Sequence, residues 1–129
     1  MEQKEKDKWI ESGRIASQIM KKARQLCKPE VPWLEIAEKL EAEAEKLKVK
    51  WAFPVNLSIN EIAAHSCPLH ESKELAHGLL KIDLGISVDG YISDTASSVD
   101  LSPEQKFRPL IKSSEDALKE AIKTARKFS

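Results

Sequence analysis

The segment Lys81–Asp100, KIDLGISVDGYISDTASSVD, constrains the fold more than any other part of the chain. Two alternating runs flank Asp89-Gly90, and a type I′ turn needs positive φ at both central residues, which Asp and Gly tolerate. With those two as the loop, Val88 faces Tyr91, Gly85 faces Asp94 and Asp83 faces Ala96. Side chains alternate between the faces of a sheet, so Asp83, Gly85 and Ser87 share a face with Ile92, Asp94 and Ala96. Ile82, Leu84, Ile86 and Val88 form an apolar stripe on the other face, suited to packing under helices. Gly85, opposite Asp94, leaves room above the strand.

Asp83 and Asp94 are then diagonal neighbours, roughly 7–8 Å apart at Cα and within side-chain reach. Burying an unpaired carboxylate is costly. Two this close repel, and one keeps its proton unless a cation lies between them. Oxygen ligands suit hard divalent ions, and a carboxylate pair can hold two ions about 3.5–4 Å apart, an arrangement used to activate water for hydrolysis. The alternative is structural: one Asp caps a turn and the other bonds a neighbouring loop. Hairpin geometry leaves both open. Asp89 belongs to the turn and has no metal role.

At 129 residues the chain accommodates one small domain. Its 21 Lys and Arg balance 21 Asp and Glu and interleave with them along the helices, so nothing in the charge calls for nucleic acid or a membrane surface. No apolar run is long enough to span a bilayer, and the first residues are charged rather than signal-like. Cys27 and Cys67 have neither metal-ligand spacing nor a disulfide framework, which points to a reducing cytoplasm.

Periodicity predicts a helix over residues 5–28, with Trp9, Ile15, Ile19, Ala23, Leu26 and Cys27 on its apolar side and Pro29 helping to stop it. A second helix runs from Pro32 to Leu47 with Trp33, Ile36, Ala37, Leu40, Ala44 and Leu47 facing the core. Trp51–Ile59 reads as a strand, and Pro54 makes it an edge or an irregular one. Asn60 is expected to cap a short helical turn, Glu61–Ala64. Residues 66–77 form a polar loop in which His70 and His77 are solvated. Ser102-Pro103-Glu104-Gln105 resembles a helix start. The helix it opens carries Phe107, Leu110, Ile111, Leu118, Ala121, Ile122 and Ala125 on one face. This order predicts an α+β fold with helices on one face of a small antiparallel sheet. The carboxylate face would point away from them, like one wall of a cleft. His65 lies in an apolar context, EIAAHSCP; a lone histidine is more often structural than catalytic. No HExxH motif, Gly-rich phosphate loop or nucleophile elbow occurs.

Taken together, FPVNLSINEIAAH (Phe53–His65) and KIDLGISVDGYISDTA (Lys81–Ala96) resemble the type II methionine aminopeptidases, in particular the archaeal form, and the likeness extends over essentially the whole chain. The resemblance implies half of a pita-bread fold, with residues 1–129 as its N-terminal half and the C-terminal half absent. It implies a metallo-hydrolase that removes the initiator methionine using water activated by two divalent ions, Mn, Fe, Co or Zn. In that family the ions are held by two Asp, one His and two Glu. Asp83 matches the ligand of one ion and Asp94 the ligand that bridges both. His65 matches the histidine that contacts substrate without binding metal.

The other His and the two Glu belong to the second half of the family's fold. The chain by itself is therefore expected to be inactive, with that half or a second chain as its partner and the N-terminal Met of peptides as its substrate. The sequence departs from the family pattern at Ser66-Cys67-Pro68, where an aromatic residue and a Thr usually precede the Pro. It departs again at LAHGLLKID, which lacks a usual Gly-Asp pair. A proline-specific peptidase of the same fold is the second enzyme reading, since those enzymes carry a similar hairpin. A non-catalytic pita-bread binding module is the third; the presence of Asp83, Asp94 and His65 and the neutral charge argue against it.

Overall fold

The computed structural model describes residues 1–128. Helices α1 (Gln3–Leu26) and α2 (Trp33–Lys46) come first, then strands β1 (Lys50–Ile59), β2 (Gly78–Val88) and β3 (Tyr91–Leu101), then helix α3 (Arg108–Arg126). The strands form one antiparallel sheet in the order β1-β2-β3. The hairpin has the expected register: Val88 pairs with Tyr91, Gly85 with Asp94 and Asp83 with Ala96. Its turn is made by Asp89 at φ 52° and Gly90 at φ 86°.

The core lies between the sheet and the first two helices. Leu80, Ile82, Leu84 and Ile86 of β2 are fully buried, and they pack with Ile15, Ile19 and Ala23 of α1 and Ile36 and Leu40 of α2. Ser12 interrupts the apolar stripe of α1 but is also fully buried. Its Oγ donates to the Ile86 carbonyl at 3.1 Å, which satisfies the hydroxyl and locks α1 against β2. Nearer the start of α1, Lys8 Nζ reaches the turn residue Asp89 at 2.8 Å, and Trp9 meets Tyr91 edge-on with ring centroids 5.4 Å apart. Trp9 is thus a half-exposed clasp on the hairpin rather than the core residue its spacing predicts.

The strand β1 is irregular for the expected reason. Its pairing with β2 slips between Trp51 and Phe53 and again between Phe53 and Asn56, the second slip spanning Pro54. Each slip is an extra residue that kinks the strand and changes which face the next side chain meets. Trp51 packs toward the core, whereas Phe53 is turned onto the carboxylate face, above Gly85.

Three further expectations are corrected. No helical turn forms over Glu61–Ala64. Asn60 takes a left-handed φ of 54°, its N–H donates to the Leu79 carbonyl at 2.9 Å, and its Oδ1 accepts the Leu79 N–H at 3.0 Å. Asn60 therefore ties β1 to β2 instead of capping a helix. The last helix does not start at Ser102. Asp100 draws the chain into a turn by accepting Ser102 N–H (2.9 Å), Ser102 Oγ–H (2.6 Å) and Phe107 N–H (2.8 Å), Gln105 adopts φ 49°, and helix α3 begins at Arg108. Finally, α3 buries none of its residues: Leu110, Leu118 and Ile122 stay exposed although they share the apolar face that periodicity assigns to a core.

Candidate functional site

On the face of the sheet turned away from α1 and α2, three adjacent strands present one small group of side chains. The β2–β3 register sets Asp83 opposite Ala96 and Asp94 opposite Gly85. The β1–β2 register sets Asn56 opposite Asp83 and Phe53 opposite Gly85. The space that Gly85 leaves is filled by the Phe53 ring, so the expected opening beside Asp94 has an aromatic wall. A Cβ at residue 85 would overlap that ring. Gly85→Ala is expected to displace Phe53 and destabilise the chain by about 1–3 kcal/mol. Denaturant unfolding checks this, and the double variant with Phe53→Ala should lose less than the two single losses combined.

Asp83 is half-buried and its Oδ1 is shut off from solvent with no hydrogen-bond partner. Burial first, and then the neighbouring Asp94 carboxyl, push its carboxyl above the ordinary value of 3.8; the nearby His65 charge pulls the other way. Desolvation and a like-charged neighbour penalise the ionised form. Such a carboxyl holds its proton more tightly folded than unfolded. Its contribution to stability is whole below pH 3.8 and is lost as pH rises through the folded value. Without divalent ions, the urea midpoint of the chain is expected to fall over that window, and Asp83→Asn should flatten the fall.

His65 follows β1 in the loop of residues 60–77. It is exposed, takes a left-handed φ of 65°, and lies near enough for its charge to act on Asp83. Non-glycine residues in that backbone region are uncommon and cluster at functional positions. The three residues singled out in the sequence, His65, Asp83 and Asp94, are therefore brought to one side of the sheet. His70 and His77 are exposed, as expected, and His77 lies 3.3 Å from Glu74. Phe53 and Asn56 were not picked out as site residues. Their place follows from the bulged pairing of β1, which alternation alone does not reveal.

The donor set suits a hard cation. Two carboxylates share the face, and one carries a buried oxygen with nothing to bond, which a cation would satisfy. Among the described residues no group of three or more His, Cys, Asp or Glu could hold an ion together. Cys67 Sγ donates to the Val55 carbonyl at 3.4 Å. Burial pushes the Cys27 thiol up to about 12, so Cys27 offers no ready thiolate. No described helix is long and apolar enough to cross a membrane.

The sequence pattern of metallopeptidase family M24 matches residues 7–127. A methionine aminopeptidase of Pyrococcus abyssi is 47% identical over 122 residues, which are 93% of this chain and 41% of that protein. That of Methanocaldococcus jannaschii is 48% identical over 119 residues, 91% of this chain and 40% of that one. The crystal structure of a methionine aminopeptidase from Thermotoga maritima superposes with a TM-score of 0.82 at 22% identity, covering 95% of this chain and 53% of the other. The chain thus spans about two-fifths of the length of these two archaeal relatives and about half of the bacterial structure.

Proposed function

Because the chain belongs to metallopeptidase family M24 and shares the fold of the pita-bread methionine aminopeptidases, we propose that Asp83 and Asp94 are metal ligands in the removal of N-terminal methionine from peptides. The observation that carries this reading is the orphaned Asp83 Oδ1, buried beside a second carboxylate on the face that His65 approaches.

Asp83 and Asp94 would hold the divalent ions, of Mn, Fe, Co or Zn. Bound ions of this kind supply Lewis acidity and a water of lowered pKa. The chain's own side chains do the rest. Asp94, exposed on the open face, stands where a substrate arrives. His65 contacts the substrate amide and stabilises charge that develops on it. Phe53 and Ile92 give the carboxylates apolar neighbours, a surface on which an unbranched thioether side chain packs well. Two carboxylates are too few to ligate two ions, so the remaining ligands come from further polypeptide. This chemistry would serve new polypeptides in the cytoplasm.

A chimaera tests the proposal. The chain replaces the 122-residue segment that it matches in the Pyrococcus abyssi relative. Release of methionine from a Met-Ala-Ser peptide, with an Xaa-Pro peptide left intact, is the expected result. Cleavage of Xaa-Pro alone would favour the proline-directed reading, and no cleavage by a folded, Mn²⁺-loaded chimaera would contradict both. The 129-residue chain by itself is expected to show no turnover.

A further inference from the structure

Five residues before His65, Asn60 is held by the start of β2 through three of its polar groups. Its N–H donates to the Leu79 carbonyl at 2.9 Å, and its Oδ1 accepts the Leu79 N–H at 3.0 Å. Its own carbonyl accepts Lys81 Nζ at 2.5 Å, and the same ammonium group lies 3.4 Å from the Leu79 carbonyl. Gly78, at φ 59°, brings its bare backbone against the Asn60 amide, where a Cβ would overlap Oδ1. A hydrogen bond from a charged donor is stronger than one between neutral groups, so the Lys81 contact outweighs the two beside it.

The loop that leaves Asn60 is pinned again at Ser66, whose carbonyl accepts Leu57 N–H at 2.8 Å. The short stretch between these anchors has a left-handed residue at each end, Asn60 at φ 54° and His65 at φ 65°. Such backbone persists only where its surroundings over-determine it. Glu61, the next residue of the loop, lies near enough for its charge to act on Lys81. Ala63 and Ala64 border, with Lys81 and Asp83, a cleft of about 380 Å³. Lys81 lies two residues before Asp83 on β2, and alternation puts both side chains on one face. One strand therefore carries both the buried carboxylate and the group that grips the His65 loop.

We propose that Lys81 is a positioning residue for His65: its ammonium group, bonded to the Asn60 carbonyl, fixes the loop that sets the imidazole beside Asp83 and the arriving substrate. This rests on the reading of His65 as the residue that contacts substrate. Without the ammonium group the Asn60 carbonyl turns to water, the left-handed turn relaxes, and His65 shifts relative to the carboxylates. Orientation is what is lost, and a displacement of about 1 Å at a reacting centre costs up to about 100-fold in rate. Lys81 Nζ bonds backbone carbonyls rather than Asp83 or Asp94, so divalent affinity is spared.

Steady-state kinetics of the chimaera on the Met-Ala-Ser peptide, run as a double-mutant cycle of Lys81→Met and His65→Ala, tests it. Lys81→Met is expected to fold by circular dichroism, to bind Mn²⁺ as before, and to lose at least about 10-fold in kcat with KM little changed. Lys81→Arg keeps a charged donor and should recover most of that loss. In the His65→Ala background, Lys81→Met should cost nothing further. An equal loss in that background, a matching loss of Mn²⁺ affinity, or full kcat in Lys81→Met would overturn the positioning role and leave the reading of His65 intact. Unchanged kcat in His65→Ala would overturn both. Should Lys81→Met unfold, the same cycle run with Lys81→Gln decides between these outcomes.

Discussion

Leu84→Ala is expected to destabilise the chain by about 2–5 kcal/mol, the range for emptying a fully packed leucine site. Leu84 is fully buried at the centre of β2, under the layer formed by α1 and α2. It also lies between Asp83 and Gly85, whose side chains belong to the other face. Alternation makes these neighbours opposite in kind: one residue holds the core and the next builds the site. A domain of this size has only about 5–15 kcal/mol in total, so the variant loses a large share of it. Guanidinium unfolding followed by circular dichroism measures the loss. A loss below about 1 kcal/mol would mean that β2 is not the strand that joins helices to site.

Asp94→Asn is expected to lower kcat/KM of the chimaera by at least about 100-fold and to weaken divalent affinity by a comparable factor, since even outer-sphere changes at metal sites cost about 10–100-fold. Stability should change little, because Asp94 is exposed and makes no core contact. Removing Asp94 also removes the neighbouring charge that helps hold the Asp83 carboxyl above its ordinary value. The variant should therefore show a weaker loss of stability with rising pH even as it loses the ion. A purely structural Asp94 would show the reverse pattern, with lost stability and unchanged metal affinity.

The hairpin was legible in the sequence because two independent signals agree on it. Asp89-Gly90 sets the register, and period-2 alternation says which face each residue takes. That places Asp83 and Asp94 together without any tertiary information. Phe53 and Asn56 were not legible as site residues, because two bulges separate them from any constant period. The apolar face of α3 misled for a different reason. Periodicity reports that a helix has an apolar side and says nothing about how far it is covered, and here Ile111 is half-buried while Leu110, Leu118 and Ile122 stay exposed. Asn60 and Ser102 show local competition: both are good helix caps, but Asn60 is captured by the Leu79 backbone and Ser102 by the Asp100 carboxylate.

Mn²⁺ titration followed by electron paramagnetic resonance, on the chimaera and on its Asp83→Asn variant, tests the central claim most directly. Loss of the free-ion signal with the unaltered chimaera, and its return with Asp83→Asn, is the predicted result. Equal Mn²⁺ uptake by both, with Asp83→Asn folded, would contradict the assignment of the buried Asp83 oxygen as a metal ligand.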